Sequence, residues 1–566
     1  MNMEMPNTLP KIENFPYLSP SLLKEFAAFY TPNMGQAELT HCQRYFSMRK
    51  GIPPTEEELA FLDAFVGQNY RYPDAFLISQ MQTEDAFLAE TFHDLMDKRA
   101  AAKPNYSAPC SFEEITKVAQ KYLEVCGKKP SPIDTVHFRC QTHPALTLAA
   151  GKVSPVCLDG DTECGLFCGK PHHSALVCRA PLANGDTVYA ILKSTDDVED
   201  FEKKLLAFAK APSVLLHVKK LFPVGDRGLI HSLFDTEMGF EVELSRLYGD
   251  APATRLLEGD LGLIFIAKKE RESEVLMDAL DAGLRPRLVG ALKGDDRAVL
   301  NRGDNTPLLL TLPFLKALAF SRAYRTEIPS GEPCHGVALS PLGTACIDGQ
   351  DVIFARADGD DSRHAALYAA LCALASCVGS GVGLRDIRIA ARTKLSLADI
   401  STKNLGKQLA LLLGLYRAET EFELTELDSE MQITDESSSV TLYAVSAKPQ
   451  NMIPDTLVGD SSAVYLLEPR YDSDGNPDFD NIKDMFTYVA GLTENGTVLS
   501  ARAVFGDILP TLDSMSGDKT VEYALDAPYT ARAGSILVET AQSIGGLLVG
   551  KVLPTSTQTE ENPDNA

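Results

Sequence analysis

The chain has 566 residues, of which 45% are hydrophobic and 23% charged, ordinary globular values that exclude wholesale disorder. Its length implies about three or four domains. A net charge of −25 argues against a phosphate backbone or an anionic membrane as a general partner. No basic start leads into an apolar stretch, and no run of about 18 apolar residues occurs, so the expectation is a cytoplasmic protein with no nucleic-acid and no membrane partner.

Taken in chain order, "SPSLLKEFAAFY" begins a helix at a serine cap, and "TEEELAFLDAFVG" carries threonine with glutamate three residues on, the capping-box spacing. These predict a helical N-terminal linker region over 1–105. "SFEEITKVAQKYLEVCG" is a further capped helix closed by Gly127. The segment 128–183 follows, with Cys140, His143, Cys157, Cys164, Cys168, His172, His173 and Cys178. That set offers enough ligands for zinc, but Cys164 and Cys168 are four apart and no close Cys-x-x-Cys knuckle occurs. The favoured reading is buried thiols and surface histidines, and no metal is expected.

"GDTVYAILKS" reads as a strand, 197–222 as one long helix, "FEVELSRL" (240–247) as a strand, and 260–294 as strand, helix and strand. Next come an alanine-rich buried helix within 357–383 and a second apolar helix over 404–431. Strand and helix recur at 461–470 and 478–496, with strands at 497–504 and 534–540. The pair "GDTVYAILKS…VEDFEKKLLAFA" and "DSSAVYLLEP…FDNIKDMFTYVA" share the order strand, acidic loop, amphipathic helix, which predicts an internal repeat. The fold class expected is mixed α/β, or α+β. The polar end 553–566 reads as a disordered tail.

Several of these segments resemble phosphoribosylformylglycinamidine synthase, the long form of anaerobic bacteria. That enzyme uses ATP and glutamine-derived ammonia to turn an amide into an amidine in purine synthesis. "PTEEELAFLDAFVGQNYRYPDAF" is similar to its linker motif, with Arg71 kept and Asn69 and Tyr72 in place of two family histidines. Val224-Gly225-Asp226-Arg227-Gly228 stands where the family has a glycine-rich Asp-x-Gly-Ala-Gly-Gly turn. "FRCQTHP" (138–144) resembles the family's F-K-N-E-T-H-N-H-P, with Gln141 for the glutamate and His143 for one histidine. In the second half, His364 falls on a family histidine, and "ELDSEM" keeps Asp428 and Ser429 of G-K-D-S-M-S-G but has Leu427 for lysine.

The resemblance implies tandem aminoimidazole-ribonucleotide-synthetase-like pseudo-repeats: a truncated first N-half at 106–183, a first C-half at 184–303, a second N-half at 304–458 and a second C-half at 459–552, with no glutaminase part. It also implies candidate catalytic residues Gln141, His143 and Arg71, and candidate nucleotide-binding residues His364, Asp428 and Ser429. Phosphoryl transfer rests on Mg²⁺ held by carboxylates, cations on the phosphates and close backbone approach at glycines. Gln141 removes a negative ligand, and Asp226 and Arg227 add side chains to a phosphate-facing turn. The expected function is therefore a catalytically degenerate synthase-like protein with a binding or assembly role linked to purine biosynthesis. Its partners would be a small-molecule nucleotide and a purine-pathway protein. No cofactor is expected unless a nucleotide site survives, in which case Mg²⁺ with ATP or ADP would occupy it. The alternative is an active ATP-dependent amidine-forming ligase using external ammonia.

Overall fold

The computed structural model describes residues 12–554 apart from 50–51, 103–108, 128–135, 139–155, 158–165, 169–179, 194–196, 210, 226, 235, 303–306, 330–335, 348–349, 397–399 and 526. Its N-terminal helices form as their caps dictate. Thr55 accepts a hydrogen bond from the Glu58 amide while the Glu58 carboxylate accepts from the Thr55 amide, at 3.0 and 2.9 Å, and this capping box starts the helix Glu56–Asn69. With Pro20–Tyr30 and Gln36–Met48, that helix buries Phe15, Phe26, Phe46, Phe61 and Phe65 in the same core as Leu229, Ile230 and Leu233. Each fully buried phenyl contributes roughly 1.5–3 kcal/mol, so the linker is bound to the sheet behind it as part of one core. No described helix is long and apolar enough to cross a membrane.

That sheet has seven strands, in the spatial order 308–311, 297–301, 239–243, 287–293, 187–192, 262–267, 218–224. The sheet near the C-terminus has five, ordered 521–523, 547–552, 463–467, 530–540, 498–507. Set 187–192 against 463–467 and continue along the chain, and the five-strand order coincides with the last five positions of the seven, every pairing antiparallel in both. In each copy the helix after the first strand, Val198–Ala209 or Phe479–Glu494, shares a core with the sheet through apolar residues three or four apart. The repeat expected from "GDTVYAILKS" and "SSAVYLLEPR" is thus present as topology. Strand Leu308–Thr311 belongs to the first sheet, beyond the expected limit at 303.

Between the two copies lies a six-stranded sheet, on which the helix Ala365–Gly379 packs. All but one residue of this helix is buried, because its alanines let it sit between the sheet on one side and strand Thr530–Thr540 and helix Thr402–Glu421 on the others. Gly406 serves the same closeness: a Cβ there would lie 2.0 Å from the Glu327 carbonyl oxygen. Strand Ala323–Glu327 runs parallel to Leu77–Gln82, which joins the start of the second half to the linker region.

Three sequence expectations are corrected. The helix expected over 197–222 is two helices, Val198–Ala209 and Pro212–His217, followed by strand Val218–Val224. Pro212 cannot donate to a continuing helix, and pairing with Gly262–Ala267 overrides the helical period beyond it. The strand expected over 240–247 ends at Glu243 and turns into the short helix Leu244–Tyr248. The helix expected over 404–431 ends at Glu421, and Thr425–Thr434 is an edge strand of the six-stranded sheet parallel to Arg388–Ser396.

Candidate functional site

A cavity of about 410 Å³ opens where the end of helix Glu56–Asn69 meets helix Gly228–Phe234 of the first repeat and helix Leu312–Ala319. Its size lies within the range of small-molecule sites. The linker side supplies Phe65, Asn69 and Asp74, the repeat supplies Arg227, His231, Phe234 and Glu237, and Lys316 and Phe320 close the third side. Gln68 binds the Leu257 carbonyl and holds the helix end against the repeat. Gly228, at φ 72°, lets the turn before its helix pass close to residues 256–258, where a Cβ would come within 2.3 Å of the Leu256 carbonyl oxygen.

Two of the cavity's charged groups pair with each other. The Arg227 guanidinium binds Asp74 at 2.5 Å and lies 4.0 Å over the Tyr72 ring. His231 stacks on Phe65 with ring centroids 5.8 Å apart and meets Phe234 edge-on. Burial, reinforced by the Arg227 charge, pushes the His231 pKa down to about 3, so its imidazole is neutral at physiological pH. Asn69 is 5% exposed and its Nδ2 has no hydrogen-bond partner among the described residues. A buried amide left so costs about 1–3 kcal/mol, a deficit that a ligand acceptor in the cavity would remove.

The residues singled out from sequence fall in different places. Arg71 is exposed just past the helix and does not line the cavity, whereas Asn69 does and Tyr72 supports Arg227. Gln141 and His143 lie outside the described residues, as does Asp226 and most of the cysteine and histidine cluster at 137–178. His364 is fully buried at the N-cap of Ala365–Gly379, at φ 68°, with Nε2 3.1 Å from Asn476 Oδ1 and Phe87 edge-on to its ring. Burial and the neighbouring Arg363 push its pKa down to about 4. Asp428 and Ser429 lie in strand Thr425–Thr434, opposite Ala390 and Ala391. Ser429 is three strands away from Ala357 on the strand leading to His364, about 14 Å at ordinary spacing. Among the described residues the contacts of His364 come from Phe87, Tyr368 and Asn476.

No protein-family model and no curated protein matches the chain. Solved structures do. Thermotoga maritima PurL complexed with ADP aligns with a TM-score of 0.52 over 90% of this chain and 99% of that one, at 10% identity. Thermotoga maritima PurL complexed with FGAR aligns with a TM-score of 0.50 over 69% of this chain and 74% of that one, at 11% identity. The chain has the PurL fold. The likeness runs through both repeats, since nearly the whole of the ADP-bound PurL chain is covered. A first half shortened relative to PurL is not what this alignment carries, and the segment concerned is largely outside the described residues.

Of the residues lining this cavity, the sequence drew attention to Asn69 and Arg227 but not to Asp74 or His231. Asp74 had a local signal: Pro73 fixes the single turn Pro73–Ala75 that presents it. His231 had only its position as a lone histidine in the apolar helix "GLIHSLF".

Proposed function

We propose that this chain is a ligand-binding protein with the PurL fold that does not turn over ATP, and that acts in a binding or assembly role linked to purine biosynthesis. The observation that carries this reading is the Asp74–Arg227 ion pair at the cavity between the linker and the first repeat. The resemblance makes the Val224–Gly228 turn a phosphate-facing one, and phosphoryl chemistry needs cations free to meet phosphate. Arg227 is instead committed to a carboxylate and the neutral His231 adds no charge, which leaves Lys316 as the lining cation with no carboxylate partner among the described residues. Aromatic walls and the unmet Asn69 amide favour a ring-bearing ligand with a hydrogen-bond acceptor. The PurL structures that support the fold contain ADP and FGAR, so nucleotides and their derivatives are the ligands to try first.

Calorimetry of the full chain with ATP, ADP and FGAR, each with Mg²⁺, tests the reading. The expected result is ATPase activity at background and weak binding of ATP. Asp74→Asn, which frees Arg227, should tighten ATP binding about tenfold, one charge-assisted contact being worth about 1.5–3 kcal/mol. Steady ATP turnover with ammonia and FGAR, lost in Asp74→Asn or Asn69→Ala, would instead establish an amidine-forming ligase.

A further inference from the structure

A second cavity, of about 200 Å³, sits beside the edge strand Val498–Asp507 and the helix Ile508–Ser516 of the second repeat, the counterparts of Val218–Val224 and Gly228–Phe234 beside the first cavity. It is smaller than the roughly 300–1,000 Å³ of drug-sized ligand sites, and its lining differs in kind. Asp455 and Arg502 both face it, without pairing with each other. Arg502 uses Nη1 on Ser514 at 2.9 Å, which leaves most of its donors free. The Asp455 carboxylate has no hydrogen-bond or ion-pair partner among the described residues.

The segment bearing Asp455 is tied at both sides. The Ile453 amide donates to the Ser380 carbonyl at 3.1 Å, and the Pro454 carbonyl accepts from the Ala501 amide at 2.9 Å. On the helix side, Ser376 and Ser380 donate their hydroxyl protons to the Cys372 and Cys377 carbonyls, at 3.1 and 2.6 Å, and so offer lone pairs to the cavity. Apolar contact comes from Leu339, Ile453 and Phe505. One small enclosure thus presents an unpaired anion with hydroxyl acceptors, an underused guanidinium and an apolar wall. A ligand bearing both charges would meet the two groups at once with charge-assisted hydrogen bonds.

The geometry points to a binding site for a small zwitterion, a free α-amino acid, with its ammonium on Asp455 and the serine oxygens, its carboxylate on Arg502 and its side chain against Leu339, Ile453 and Phe505. This site is separate from the cavity at Asn69 and needs no nucleotide there.

Calorimetry of the full chain against glycine, L-alanine, L-serine, L-leucine and L-glutamine tests it. Saturable binding of at least one is expected, weakened at least tenfold by N-acetylation and by conversion of the carboxylate to an amide, changes made in the ligand that leave the protein untouched. Arg502→Gln and Asp455→Asn should each weaken it at least tenfold while leaving ADP binding unchanged. No saturable binding of any of the five, equal binding of the blocked derivatives, or displacement of the amino acid by ADP would overturn the proposal.

Discussion

Glu539→Ala should destabilise the second repeat by about 3–5 kcal/mol, the largest loss expected from any single substitution here. Glu539 is fully buried in strand Thr530–Thr540, which lies between the first strand of the repeat and its edge strand. Its two carboxylate oxygens accept four hydrogen bonds: from the Val458 and Gly459 amides at 3.0 and 2.9 Å, and from the Ser462 and Ser500 hydroxyls at 2.5 and 2.8 Å. Three of those donors come from the loop leading into the first strand and one from the edge strand, so this side chain ties both to its own strand. Alanine would leave the Val458 and Gly459 amides without their acceptor, at up to about 1–3 kcal/mol each, and open a void beside them. The hydroxyls can rotate to other acceptors, which keeps the total below a sum over four. Glu539→Gln keeps the volume but turns an amide NH₂ toward donors, so it should recover little. The measurement is hydrogen exchange at Val458 and Gly459 with the urea midpoint of the second repeat. Midpoints within about 0.5 kcal/mol of wild type, the usual scatter of surface changes, would remove Glu539 from that role.

What the sequence made legible follows from how far apart the determinants lie. Caps are local, and Thr55 with Glu58 specified the start of Glu56–Asn69 outright. The repeated strand, acidic loop and helix were also legible, because a strand of period two next to a helix of period 3.6 is written within about 25 residues. Val218–Val224 was not: its apolar residues continue a helical spacing from Leu215, and only pairing with Gly262–Ala267 decides for strand. The same holds for Asp428 and Ser429, whose strand is fixed by Arg388–Ser396. At the candidate site, the resemblance identified both contributing segments, yet the residue kept from the family, Arg71, points to solvent. The chain leaves the helix at Tyr70, so periodicity no longer tells which of Asn69, Arg71 and Asp74 faces inward. Asp74 and Arg227 are 153 residues apart, and no local pattern could have paired them.

Behind that cavity a second buried carboxylate fixes its wall, and here a pH dependence follows. Glu38, at the third position of helix Gln36–Met48, is fully buried and accepts from Tyr70 at 2.7 Å, Ser321 at 3.1 Å, the Gly35 amide at 2.9 Å and Arg322 Nε at 2.5 Å. Arg322 also lies 4.2 Å over the Tyr70 ring. Tyr70 adjoins Asn69, and Ser321 adjoins Phe320, so the cluster clamps two walls of the cavity. Burial alone would raise the Glu38 pKa, but hydrogen bonds from Tyr70, the backbone and Arg322, together with the Arg322 charge, outweigh it and hold the carboxyl below its ordinary value of 4.5. A depressed carboxylate contributes its stability above the unfolded pKa and loses it as pH falls through the folded one. The clamp should therefore be intact at neutral pH and weaken only below about pH 4.5, the ordinary glutamate range. Glu38→Leu, leaving Arg322 half-buried without its anion, should cost about 3 kcal/mol at pH 7. Its urea midpoint should then approach that of wild type as the pH falls below that range, because the wild type loses what the variant already lacks. A difference that stays constant from pH 7 down to pH 3 would show that the loss came from packing and not from the charge.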